Sequence, residues 1–303
     1  PRKVVDLMTY SLRKLLLCGL LVAGAGREVS AFSLLGPLTT WQTTEIGYNL
    51  PVAIVDLGGP MNFGEEYRWN LPLITYGFDE SFLNYFGAKG VEEVEKAIDV
   101  FNDLPPASQI DLSKFPLDTR RVNYRASALN LVDMKSHVMG VLLEMLGLAP
   151  PERYVWTLRS RVLIDNIPVY VVIKRNFDPI TGEPSTYING TLYTYMVLQT
   201  YTGPDVWEAV EFEVDPSLPS VSSVAAAMIG GGTVLATGYA VNSMPGLFYT
   251  GLTRDDVAGL RYLYRTGNVN VETLLTNALQ APRSAKEGTY LLGASATSPW
   301  AAP

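Results

Sequence analysis

A single histidine serves the 303-residue chain, and it stands among carboxylates. Asp133, His137 and Glu144, spaced i, i+4 and i+11, share one face of a helix-like stretch, and an Asp/His/Glu face can ligate a metal. Val138, Val141, Leu142 and Met145 surround them, which fits a core imidazole with one nitrogen satisfied better than a ligand. Ser136 cannot pair with His137 as a nucleophile, because neighbours in a helix point about 100° apart. In GEEYRWN, Glu65 and Glu66 stand beside Tyr67, Arg68 and Trp69. A glycosidase needs two carboxyls facing each other across a cleft, whereas adjacent residues of an extended chain point to opposite faces. DPITGEP (178–184) and DPSLP (215–219) are turns without the D-x-D-x-D-G order of a calcium loop. IGGGTVLATG lacks the G-K-[ST] ending of a phosphate cradle, and no G-x-S-x-G elbow occurs. The last candidates are aromatic. Tyr154 and Trp156 share a face, as do Tyr193 and Tyr195, in a region that also holds Tyr170, Tyr187 and Tyr201. Exposed, these rings would stack on sugars or dock a partner; buried, they would be β core.

The elements that must position these residues are partly marked. LPLITYGFD (71–79) predicts a strand entering a turn. GAKGVEEVEKAIDVFNDLPP predicts a helix with Val91, Val94, Ile98 and Phe101 on one stripe, ended by Pro105-Pro106. SQIDLSKFPLDTRRVNY reads as strand or loop. LNLVDMKSHVMGVLLEMLGLAPPERY (129–154) reads as an amphipathic helix stopping at Gly147 and Pro150-Pro151. From 153 to 214 the chain turns Tyr/Val-rich and alternating, with hairpin turns predicted at Asp165-Asn166 and Asn189-Gly190, because Asn and Gly tolerate positive φ. PSVSSVAAAMIGGGTVLATGY reads either as a short helix before a Gly loop or as loop throughout. GLTRDDVAGLRYLYR predicts a helix with a Thr253/Asp256 capping box and a Leu252–Val257 staple.

The order of these elements resembles the matrixin branch of the metzincin zinc peptidases. LITYGFDESF with the following helix is similar to the family's opening strand and first helix, VDMKSHVMGVLLEMLGL to its active-site helix, and SMPGLFYTGLTRDDVAGLRYLY to its Met-turn (Met244, Pro245) and closing helix. These pieces cover about 70 residues. The chain is also similar to secreted proteins of Verrucomicrobia-type bacteria that share GGPMNFGEEYRWN and GLTRDDVAGLRYL. The family's H-E-x-x-H-x-x-G-x-x-H motif is not kept. With its first histidine laid on His137, Val138 takes the place of the general base, Val141 that of the second ligand, Glu144 that of the turn glycine and Gly147 that of the third ligand. The resemblance therefore implies a matrixin-like frame with a β insertion and a degenerate metal-site helix, with no catalytic residue, no metal and no cofactor.

Charge and leader bound the rest. SLRKLLLCGLLVAGAGREVSA has the basic start, apolar run and small-residue end of a signal peptide, with a cut predicted before Phe32. Its apolar run is shorter than the ~20 residues a bilayer span needs. Residues 1–31 hold five basic and two acidic residues, so their loss takes the formal charge from −7 to −10. It also removes Cys18, the one cysteine. So acidic a chain argues against nucleic acid, and once the leader is removed nothing binds it to a membrane. The sequence thus predicts an α+β protein, secreted or in the cell envelope. Its parts are a signal peptide (1–31), an extended arm or short edge strands (32–70), one domain (71–266) with a β insertion at about 153–214, and a tail or linker (267–303). Its function is read as non-catalytic binding of an unidentified extracellular partner, protein or glycan, or as an extracellular structural role. The alternative is a secreted hydrolase, a divergent peptidase or a carboxylate-based enzyme.

Overall fold

The computed structural model describes residues 30–48, 58–71, 73–199, 205–215, 217, 223–227, 245–272 and 289–291. The leader up to residue 29 and residues 228–244, which include the glycine-rich stretch and Met244, lie outside them.

The chain is α+β. Its main helices are α1 (Glu80–Asn102), α3 (Met134–Met145) and α5 (Arg254–Leu263), with two short ones, α2 (Tyr124–Ala128) and α4 (Pro151–Tyr154). Asp79 caps α1 by accepting from the Phe82 amide at 3.0 Å, so the helix starts about two turns before the predicted GAKGVEEVEK stretch. Gly87, at φ 60° and ψ −158°, breaks it there, and only the part beyond the break carries the predicted stripe, with Val94, Ile98 and Phe101 buried. Asp133 caps α3 through the Ser136 amide (2.8 Å) and hydroxyl (2.6 Å).

The core is built around β1 (Phe32–Gly36), which pairs antiparallel with β2 (Gly59–Pro60), β6 (Leu148–Ala149) and β9 (Asn176–Phe177). Phe32 and Leu34 pack with Phe101 of α1, Met139 and Leu143 of α3, and Val257, Leu260 and Leu263 of α5. The reading of 32–70 as an extended arm or short edge strands is therefore corrected at its start, where five residues form the central strand of the main sheet. Beyond them β3 (Arg68–Trp69) follows an irregular stretch, and β4 (Thr75–Gly77) is the strand expected before α1. The segment after α1 holds two 3-10 turns and β5 (Arg120–Val122).

The insertion is two hairpin systems. β7 (Thr157–Ile164) and β8 (Ile167–Ile173) close on Asp165-Asn166, at φ 52° and 63°. β10 (Tyr187–Ile188), β11 (Thr191–Gln199) and β12 (Trp207–Glu213) form a three-stranded sheet with Asn189-Gly190 at its first turn, φ 44° and 82°. Both turn dipeptides are where the sequence puts them. β13 (Leu247–Tyr249) pairs with β5. The tail is not free of the domain: β14 (Val271–Glu272) runs parallel to β3, and β15 (Thr289–Leu291) pairs antiparallel with β4.

At the start of α5 the capping box is formed, with Thr253 accepting from the Asp256 amide and the Asp256 carboxylate accepting from the Thr253 amide at 2.8 Å. Leu252 and Val257 are both buried in the main core, as a staple requires. Thr253→Ala is expected to cost about 1 kcal/mol in urea unfolding, the usual worth of an N-cap; an unchanged midpoint would mean that the Asp256 side chain holds the helix start alone.

Candidate functional site

The helix that resembles an active-site helix is set by ordinary packing. His137 is half-buried on α3, more open than its apolar neighbours suggest. Val138 packs against two core clusters, and Val141 is half-buried. Gly147 is the helix stop: it adopts φ +96°, which favours glycine, and a Cβ there would come within 2.9 Å of Leu263 Cδ2. Among the described residues no three His, Cys, Asp or Glu side chains converge as a metal site would require. Pro245 opens the turn before β13, and that strand does reach α3, since the Tyr249 amide donates to Ser136 Oγ at 2.7 Å.

The aromatic set divides. Tyr154 and Tyr193 are 2% and 5% exposed, and the Tyr154 hydroxyl donates to the Gly58 carbonyl at 3.2 Å. Both belong to core clusters, which removes them from any binding surface. Trp156 and Tyr195 remain as a partly exposed pair with ring centroids 4.7 Å apart, Lys174 lying over the Trp156 ring. The turn carboxylates are occupied by their own backbones: Asp178 accepts from the Ile180 and Thr181 amides, each at 2.8 Å, and Asp215 from Ser217.

Glu65 and Glu66 do point apart. Glu65 is exposed, while Glu66 is buried between Tyr262, whose hydroxyl donates to it, and Arg265 at 3.5 Å. Burial works to raise the Glu66 pKa. The Tyr262 hydroxyl, backbone donors and the Arg265 charge outweigh it, so the carboxyl ends below its ordinary value and stays ionised. The other half of the same motif does something else. Tyr67, Arg68 and Trp69 line a cleft of about 300 Å³, together with the end of β1 (Leu35–Pro37), the end of α3 (Glu144–Gly147) and Glu272 of β14.

Four separate segments build this cleft, and hydrogen bonds fix them to one another. The last carbonyls of α3, which have no partner within the helix, are taken by its walls. Trp69 Nε1 donates to the Met145 carbonyl at 2.6 Å, the Tyr264 hydroxyl to Leu146 at 3.3 Å, and the Leu35 amide to Gly147 at 2.9 Å. The parallel pairing of β14 with β3 sets Glu272 against Trp69. The guanidinium of Arg68 lies 6.0 Å from the centroid of the Tyr264 ring. The result is a pre-formed concavity with two aromatic side chains, two carboxylates, one guanidinium and the negative end of a helix dipole. Tyr67 is 44% exposed, so its apolar surface is available to a ligand.

Glu272 could not have been anticipated, because it enters through a two-residue strand in a stretch that reads as tail. Glu144, which the sequence places on a face able to ligate a metal, lines the cleft. Among the described residues no helix is long and apolar enough to cross a membrane. No family model, no curated protein and no solved structure matches the chain.

Proposed function

We propose that this is an exported, non-catalytic binding protein, and that the cleft between β3, the end of α3 and β14 takes a glycan. One observation carries the ligand class. The cleft combines aromatic side chains (Tyr67, Trp69) with both acceptors (Glu144, Glu272) and a donor (Arg68). A sugar presents an apolar face and hydroxyls that donate and accept, so it uses all three. An anionic ligand would be repelled by the two carboxylates and the negative end of α3, which outweigh Arg68. The approach of β13 to α3, where the Tyr249 amide donates to Ser136 Oγ, is read as a remnant of a matrixin-like frame without its chemistry.

Titration calorimetry with a panel of neutral oligosaccharides tests this. Tyr67→Ala is expected to weaken binding by about tenfold, the loss of one aromatic contact, with the fold intact because the side chain is exposed. No heat from any neutral oligosaccharide would sink the assignment. Two carboxylates lining one aromatic-walled cleft also favour a second reading, a carboxylate-based hydrolase. Cleavage of the titrated oligosaccharide, abolished by Glu144→Gln, would establish it in place of the first.

Export is part of the proposal, but the cut before Phe32 is revised. The Ser30 hydroxyl (2.6 Å) and the Ala31 amide (3.0 Å) both donate to the buried Asp255 carboxylate. Cleaving before Phe32 would strip two donors from it, each worth about 1–3 kcal/mol when a buried acceptor is left short. N-terminal mapping of exported material is expected to find a first residue at or before Ser30; a start at Phe32 would refute the revision.

A further inference from the structure

The cleft between β3, the end of α3 and β14 is not electrically balanced. Two carboxylates, Glu144 and Glu272, and the negative end of α3 stand there with one guanidinium, that of Arg68. The guanidinium is held away from the carboxylates. Arg68 Nη1 donates to the Trp69 carbonyl at 3.4 Å, and its charged group lies against the Tyr264 ring. Among the described residues neither Arg68 nor Glu272 enters an ion pair. Glu272 is exposed, and the parallel register of β14 with β3 sets it beside Trp69. A carboxylate next to an indole suits a cation, offering a charged acceptor on one side and a negative ring face on the other. A neutral sugar would stack on the rings and bond to the acceptors, but it would leave the excess negative charge unanswered.

We propose that the sugar this cleft prefers is an amino sugar with a free, protonated amine. Its ammonium lies between Glu272 and the Trp69 ring, while its apolar ring face covers the exposed Tyr67. The inference rests on the glycan reading of the same cleft and narrows it to one class of sugar. Arg68 has a use in this arrangement as a donor to the sugar's hydroxyls, while its charge lessens the pull on the amine. A lysine side chain of a peptide is the poorer fit. It brings an ammonium, but it has no flat apolar face for Tyr67 and no hydroxyl to accept from Arg68.

The test is titration calorimetry of the full-length chain in slightly acid buffer, where a sugar amine carries its proton. Three trimers of the same linkage are compared: glucosamine, N-acetylglucosamine and glucose. The glucosamine trimer is expected to bind about tenfold more tightly than the two neutral ones, as one added charge-assisted contact would give. Glu272→Gln keeps an acceptor but loses the charge, and should lower that ratio by about threefold or more. Arg68→Gln should raise it. Opposite signs from two side chains of one cleft report its charge, which a general loss of folding would not do. Asp99→Asn makes the same change of charge on the exposed face of α1, outside the cleft, and should leave the ratio as it is. Equal affinities for the three trimers, a ratio indifferent to Glu272→Gln, or one that falls as far with Asp99→Asn would overturn the amine preference and leave the glycan reading standing. A lysine trimer competing as well as the glucosamine trimer would show that ammonium groups alone are read, and would overturn the assignment to a sugar. No heat from either neutral trimer would sink the glycan reading and this inference with it.

Discussion

Glu208→Ala is expected to lower folding stability by about 3–5 kcal/mol, the usual result of stranding one member of a buried ion pair. Glu208 on β12 meets Arg153 of α4 at 3.0 Å, and the two side chains are 2% and 6% exposed. The same guanidinium nitrogen donates to the Gly47 carbonyl at 3.0 Å, and the Tyr48 and Tyr154 rings lie against the group at 5.3 and 5.7 Å. Removing the carboxylate leaves a cation in an aromatic cage with no route to water. The pair joins β12 to α4 and, through the Gly47 carbonyl, to the N-terminal segment, so unfolding followed on β12 should show the loss first. Replacing both partners, Arg153→Met with Glu208→Leu, should recover much of the stability, since neither charge then remains to be solvated. Urea unfolding of the three variants decides it; a Glu208→Ala cost below about 1 kcal/mol would mean that the site admits water.

Stability is also expected to fall as pH rises from about 4.5 to about 8, by roughly 4 kcal/mol for each of two buried carboxyls, at about 1.36 kcal/mol for each pKa unit displaced. Burial pushes the Glu152 carboxyl up to about 8, against hydrogen bonds from the Ser223 amide (2.5 Å) and hydroxyl (2.9 Å), with the nearby Asp256 adding to the rise. Burial likewise pushes Asp255 up to about 7, against donation from Ser30, Asn189 and Ala31. A carboxyl whose pKa is raised on folding holds its proton more tightly in the folded chain. Its contribution is complete below the unfolded value and disappears as pH passes through the folded one. Glu152→Gln keeps an acceptor for Ser223 and cannot ionise, so its unfolding midpoint should stay flatter over this window than that of wild type. Equal slopes for the two would remove Glu152 as the cause.

What could be read in advance were features that depend on a few neighbouring residues. Asp165-Asn166 and Asn189-Gly190 announce their turns because positive φ suits those side chains. Thr253 and Asp256 announce a helix start because the box closes within one turn. Gly147 announces a helix end, and its positive φ needs no further meaning from the resemblance to a zinc motif. What could not be read depends on distant partners. FSLLG is too short to declare itself a central strand, and only Leu148, Ala149 and Phe177 make it one. Glu208 and Glu211 stand three apart in β12, on opposite faces, where charged side chains would be expected to reach water, yet both are buried. Tyr193 and Tyr195 follow the period of a strand, but one end of β11 sits over Val155 and Ile188 while the other runs off the core. The cleft escaped for the same reason, being assembled from four stretches of chain that no local pattern connects.

The position of β1 has a consequence in time. It is among the first core segments to be synthesised, yet 143 residues separate Ser33 from Asn176, and 225 separate Ser30 from the carboxylate that holds it. At about 5–20 residues per second, that second interval is roughly 10–45 s on the ribosome. Throughout it Phe32 and Leu34 have no complete core to enter, and the entropy of closing so long a loop must be met before any contact rewards it. The chain is thus built to mature late. Its first strand remains threadable until the last helix has emerged, and a nascent chain stalled before Arg254 would stay open to chaperones and proteases alike.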